Sequence, residues 1–245
     1  MLEICCFSLE SCLIAQKSGA NRIELCGGMF EGGTTPSAGL ISLARQNLAI
    51  QLYVMIRPRG GDFCYSETEF EVMKADIQTA KNLGADGVVF GILNPDGSID
   101  KTRTTALVKL ANPLKTTFHR AFDVTQNPDR ALEDIIDCGC ERILTSGQKN
   151  TAIEGIDLLK TLVEKAQNRI EIMAGSGLNP QNAQQFLNIG VHSLHMTGKG
   201  IQESKMTFRK TDVSMANTLL SNEYEIYEAD FEKCKAVAEI LKKQA

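Results

Sequence analysis

The chain has 245 residues, 43% of them hydrophobic and 23% charged, with a formal net charge of -4, which is enough apolar material for one large single-domain core. A pI near 5.5 provides no basic field for nucleic acid or anionic lipid, so neither is an expected partner. No apolar run approaches the roughly 20 residues of a membrane span, and MLEICCFSLE has no basic stretch before an apolar one, so the chain reads as cytoplasmic.

In chain order, short β-rich apolar runs predict strands at 2–6, 22–26, 51–57, 87–93, 115–122, 142–147, 170–175 and 193–197, with helical stretches between them. After the first run, Leu9, Leu13, Ile14 and Ala15 fall on one helical face. After the sixth, Ile153, Ile156, Leu159 and Val163 recur every three or four residues. Four helices end in glycine (Gly19, Gly84, Gly139 and Gly190) just before strands two, four, six and eight, the position where a left-handed residue closes a helix. Four similar βαβα quarters with eight parallel strands predict a (β/α)8 TIM barrel over about 1–200. Residues 201–245 read as an extension, polar and irregular at first and then helical near 228–243. Its stripe of Phe231, Cys234, Val237, Ala238 and Leu241 would cap the barrel or a neighbouring subunit.

Side chains alternate in and out along a barrel strand. With the apolar parity outward, Glu3, Cys5, Glu24, Cys26, Tyr53, Met55, Arg57, Arg59, His119, Met173, His195 and Thr197 are expected inside or at the mouth. A barrel interior is ordinarily filled with Val, Ile and Leu, whereas this one collects carboxylates, arginines, histidines and thiols. Buried charge has to be paired, and Glu24 with Arg57, on adjacent strands, is the expected pair. The eight cysteines sit mostly inside regular elements of a full-sized domain and read as reduced thiols. None forms a CxxC pair, so zinc is not indicated.

Polar loops follow six of the eight strands, the face on which barrels build their sites. Gly175-Ser176-Gly177 and Gly198-Lys199-Gly200 occupy the place where many barrels hold an anion on backbone N–H groups, with Arg57, Arg59 and Lys149 as further anion-binding candidates. Asp62 and Asp123, in loops after strands three and five, are candidates to bind a divalent cation or orient a base.

The motifs ELC, EGGTTPS, IRPRGGDFCYS, FHRAFD, LTSGQK and AGSG, in this order at strand ends, resemble the CutC family of cytosolic TIM-barrel proteins linked by name to copper homeostasis. The likeness runs from residue 1 to about residue 200. It implies a homodimer, and Cu(I) binding at the thiols that match Cys5 and Cys26. The residues themselves add that Cys5 and Cys26 share the inward parity on neighbouring strands, and that soft sulfur ligands select Cu(I). Met55 or Met173 is a candidate third ligand. The alternative is a lyase- or isomerase-like enzyme acting on a small anionic or phosphorylated metabolite at the mouth. Glu24 and His119 would then be acid/base groups and Arg57 would hold the anion.

Overall fold

Eight parallel strands pair in sequence order and close on themselves: β1 (Leu2–Cys6), β2 (Arg22–Leu25), β3 (Gln51–Met55), β4 (Gly87–Phe90), β5 (Lys115–Phe118), β6 (Arg142–Thr145), β7 (Glu171–Gly175) and β8 (Ser193–Met196), which returns to β1. The structure is a computed structural model that describes residues 1–210, 212–213 and 223–243. Helices α1 (Leu9–Lys17), α2 (Ala38–Asn47), α3 (Glu67–Asn82), α4 (Lys101–Ala111), α5 (Pro128–Cys138), α6 (Ile156–Ala166) and α7 (Ala183–Asn188) alternate with the strands, giving the expected TIM barrel. Among the described residues no helix is long and apolar enough to cross a membrane.

Local chemistry starts and stops these elements. Ser8, Ser37, Asp100 and Asn127 cap α1, α2, α4 and α5, and Ser66 with Glu69 forms a capping box at α3. Gly19, Gly84, Gly139 and Gly190 all have positive φ, as the quarter repeat requires. The apolar face of each strand packs on the helices: Leu2, Ile4, Ile23, Leu25, Leu52, Val54, Val88 and Phe118 belong to the outer core, while Cys5, Cys26, Tyr53, Met55 and Val89 form a separate cluster inside the barrel.

Two expectations about the outer elements are corrected. In α1 the buried residues are Ser11, Cys12 and Ala15, while Leu13 is 40% exposed. The hydroxyl of Ser11 is buried at no cost because it accepts the N–H of Ala229. The segment after β8 is not irregular throughout: β9 (Lys199–Glu203) and β10 (Glu225–Ala229) form an antiparallel pair. Helix α8 (Phe231–Lys242) buries Cys234, Val237 and Ala238 and packs on α1, α7 and β1, the place of the eighth helix of the ring.

The lower interior is filled by an aromatic ring between two arginines. The guanidinium carbons of Arg22 and Arg142 lie 4.7 and 5.4 Å from the centre of the Tyr53 ring. Gly87 faces that ring across the β3–β4 pair, and a Cβ there would stand 2.6 Å from it. Gly87→Ala is therefore expected to destabilise the fold by about 1–3 kcal/mol. Gly39→Ala on α2, where a Cβ would meet Ser37 Oγ at an ordinary 4.0 Å, should be neutral or gain a few tenths of a kcal/mol. Urea unfolding of the two variants checks the pair.

Candidate functional site

At the floor of the mouth, β1 and β2 place Cys5 opposite Glu24 in register and Cys26 one step above. The Cys5 and Cys26 sulfurs lie 3.7 Å apart, and the Cys26 sulfur is 3.6 Å from Glu24 Oε2. Cys5, Glu24 and Cys26 offer ligand atoms within 4.8 Å of one another, as do Glu3, Glu24 and His195. Met55 packs against the thiols from β3. Met173 does not join them, because its sulfur lies in the lower layer, 3.5 Å from Arg22 Nη2. All eight cysteines are free; Cys64 is exposed and the other seven are buried.

The expected pairing of Glu24 with Arg57 does not form. Arg57 follows the end of β3, where its Nη1 donates to the carbonyls of Glu31 (2.7 Å) and Gly33 (2.8 Å) and its Nη2 to that of Gly61 (2.8 Å). It therefore ties the loops after β2 and β3 together. The fully buried ion pair is Glu3 with Arg22, a residue that the sequence reading overlooked. His195 completes it from β8, with Nδ1 2.7 Å from Glu3 Oε1 and Nε2 3.7 Å from Glu24 Oε2.

The electrostatics follow from these neighbours. Burial pushes the Glu3 carboxyl up, but Arg22 and His195 together outweigh it and hold Glu3 down at about 2. Burial opposes the charge on His195 too, yet Glu24, Cys5 and Glu3 raise it well above the usual histidine range, so it stands as an imidazolium. Burial raises Glu24 above the ordinary carboxylate value, with His195 pulling the other way. It does not stay low beside an arginine, as a Glu24–Arg57 pair would have required. The Cys5 thiol is raised, first by its hydrogen bond to Cys26 and then by burial. Burial pushes Cys26 up to about 12, so both are protonated thiols at neutral pH.

Above this floor opens a cavity of about 360 Å³ lined by Cys5, Glu24, Arg57, His119, Arg120, Ser176, Gly177, His195, Thr197 and Lys199, with Phe7, Met29, Met55, Phe63, Leu144, Leu178 and Met196 as apolar wall. His119 accepts the N–H of Ala121 at Nδ1 (3.2 Å), and its ring lies 4.9 Å from that of Phe63. Its place depends on Gly91, where a Cβ would come within 2.6 Å of the imidazole. Burial, assisted by the Arg57 charge, lowers His119 to about 3.

Of the other anion candidates, Gly177 and Lys199 line the cavity, whereas Arg59, Lys149, Gly175 and Gly198 do not. Arg59 turns outward to Glu69 and Asp62, and so Asp62 is engaged there as well. Lys149 contributes its backbone carbonyl to Ser146 Oγ. Gly175 makes room for Leu144 and His195, and Gly198 packs against the Cys234 sulfur. Asp123 accepts from the N–H groups of Ser146 and Gln148 and the hydroxyls of Thr145 and Ser146, and pairs with Arg120, which orders the loop after β6. Arg120 lines the cavity but was passed over in the sequence, although it stands next to His119 in FHRAFD.

The two cavity histidines should titrate in opposite directions. His119 should stay neutral to near pH 3, while His195 should stay protonated well above 6.5. Between pH 6.5 and 3 the unfolded chain takes up a proton at His119 that the folded chain refuses, so stability should fall on acidification by up to about 1.4 kcal/mol per pH unit from this group. The Glu3 contribution, present above about pH 4.5, is lost as pH falls toward 2. The His195 contribution, present below 6.5, is lost as pH rises through its raised value. Imidazole NMR titration checks the histidines, and urea unfolding of His119→Asn should give a shallower decline below pH 6.5 than the parent.

A model of the CutC family matches residues 1–200. The chain is 46% identical over 243 residues to a copper homeostasis protein cutC homolog of Mus musculus, covering 99% of this chain and 89% of the relative. The Homo sapiens protein of the same name is matched to the same extent. A family protein CutC of Bacteroides fragilis is 49% identical over 227 residues, covering 92% and 90% of the two chains. Among solved structures, a CutC protein of Streptococcus agalactiae superposes with a TM-score of 0.77 at 38% identity, over 80% of this chain and 98% of that one. A phosphoribosylanthranilate isomerase of Thermotoga maritima, at 13% identity and a TM-score of 0.57 over 99% and 98% of the two chains, shares the barrel fold alone. With its motifs at the strand ends and relatives matched over nearly their whole length, the chain belongs to the CutC family.

Proposed function

We propose that this chain is a copper homeostasis protein that binds Cu(I) through Cys5 and Cys26. The observation that carries the reading is the thiol pair itself: two sulfurs from adjacent strands, 3.7 Å apart, Cys5 lining an open cavity and Cys26 fully buried beside it. Two sulfurs bound to one ion at roughly 2.3 Å each lie about 3.5–4.6 Å apart, and the observed spacing falls in that range without movement of the backbone. Thiolates select Cu(I) over harder ions. The relatives from mouse and human are named copper homeostasis proteins.

Burial sets the character of such a site. Cys26 is fully buried and Cys5 is 8% exposed, which suits retention of the ion better than hand-over at a surface. The apolar wall of Met29, Met55 and Phe63 limits the water that could exchange with it. In this reading the chain works in the cytoplasm, where eight free cysteines persist as thiols. It also acts as a homodimer, for which the exposed Phe30, Ile201 and Ile226 around the β9–β10 pair provide apolar surface.

Two protonated thiols must each release a proton to bind the ion. Affinity for Cu(I) should therefore rise with pH across the neutral range, approaching about a hundredfold per unit when both protons leave. Cys5→Ser and Cys26→Ser should each lose competition for Cu(I) against a chelator while keeping the far-ultraviolet circular dichroism of the parent. Unchanged competition in both variants, or an affinity independent of pH, would refute the site.

A further inference from the structure

Three polar atoms of the cavity wall lack any partner: Glu24 Oε1, Arg57 Nε and His119 Nε2 are sealed from solvent and make no hydrogen bond. Their residues are 2%, 6% and 3% exposed, and all three line the same cavity. Leaving a buried polar atom unsatisfied costs about 1–3 kcal/mol, more for a charged group. Three in one concavity therefore mark a place where a ligand completes the hydrogen bonding. Glu24 belongs to the cluster with Cys5 and Cys26, whereas Arg57 and His119 lie outside it and are not explained by the thiol pair.

The donors can be assigned from their neighbours. Because the Ala121 N–H donates to His119 Nδ1, the neutral ring carries its proton on Nε2, which makes that atom a donor. The Nη groups of Arg57 are taken up by the carbonyls of Glu31, Gly33 and Gly61, leaving the Nε–H as the free donor on a cation whose plane is fixed. Phe63 stands beside both groups, 5.0 Å from the Arg57 guanidinium carbon and 4.9 Å from the His119 ring, and brings them to one wall. Arg120 and Lys199 also line the cavity, but the Arg120 guanidinium pairs with Asp123 and the Lys199 ammonium lies over the Tyr227 ring.

We propose that this cavity binds a small organic carboxylate, one oxygen on the Nε–H of Arg57 and the other on the Nε2–H of His119. A carboxylate matches two single donors from two residues, whereas a phosphate dianion would need more donors and would meet the Glu24 carboxyl across the cavity. Glu24 Oε1 takes a hydroxyl or other polar substituent next to the acid group, and the apolar wall takes the carbon chain. The two donors that hold the acid group are separate from the copper site, since Arg57 and His119 lie outside the Cys5–Glu24–Cys26 cluster.

The test is an NMR titration of the metal-free, nitrogen-15-labelled full chain with formate, acetate, lactate and pyruvate, with lactamide as the neutral control and inorganic phosphate as the competing anion class. The Arg57 Nε–H and His119 ring resonances should shift saturably with at least one of the acids and not with lactamide. His119→Asn, whose side-chain oxygen can still accept the Ala121 N–H, should weaken that binding at least tenfold while leaving Cu(I) competition unchanged. Cys26→Ser should keep the acid-induced shifts, so failure of the copper reading and failure of the carboxylate site are separable. The proposal is overturned if none of the acids shifts these resonances at about 10 mM, where a 1 mM site would be roughly 90% filled. Equal shifts from lactamide, shifts from phosphate alone, or full affinity in His119→Asn would overturn it as well.

Discussion

A carboxylate sealed inside a barrel has to be matched by positive charge, and in this protein the match is made where the barrel closes. Glu3 on β1 is fully buried and held by Arg22 on β2 and His195 on β8, so one anion joins the three strands at the seam between the last and the first. An uncompensated charge there would cost several kcal/mol, which constrains the registers Glu3 with Arg22 and Glu3 with His195. The neighbouring chemistry follows from this. Arg22 is stacked on Tyr53, His195 is kept cationic within reach of Glu24, and Arg57 is left to fasten the loops above.

The interior is accordingly layered. Ion pairs and the arginine–tyrosine stack fill the bottom, the two thiols with Met55 occupy the middle, and the mouth carries Arg57, His119 and the apolar wall. Small residues make the layering possible, since Gly87 yields space to Tyr53 and Gly91 to His119. The thiols sit above a compensated charge network and below a cavity. A soft cation held there would be reached from the mouth past Cys5, and binding it would release protons next to Glu24 and His195.

Much of this was legible from residue order because a strand inside a closed barrel has a strict two-residue period. The parity that sends Ile23 and Leu25 outward also turns Glu24 and Cys26 inward, and the same reasoning placed Cys5, Met55, His119 and His195. Arg22 shares that parity but stands at the first residue of β2, where an arginine reads as part of a solvated turn. The supposed Glu24–Arg57 pair failed because β3 ends at Met55. Beyond the sheet, the carbonyls of the Glu31–Gly33 turn and of Gly61 capture the guanidinium, and strand parity says nothing about carbonyls. The β9–β10 pair joins segments more than twenty residues apart in sequence, and Leu13 faces outward because the short α1 turns Ser11 and Cys12 inward instead. Those outcomes depend on tertiary neighbours and left no local signal.

The most direct measurement is a crystal structure of the Cu(I)-loaded protein with data collected across the copper absorption edge. An anomalous peak bridging the Cys5 and Cys26 sulfurs at the floor of the cavity is the predicted result. A peak at the exposed Cys64 with none between the paired thiols would contradict the copper site.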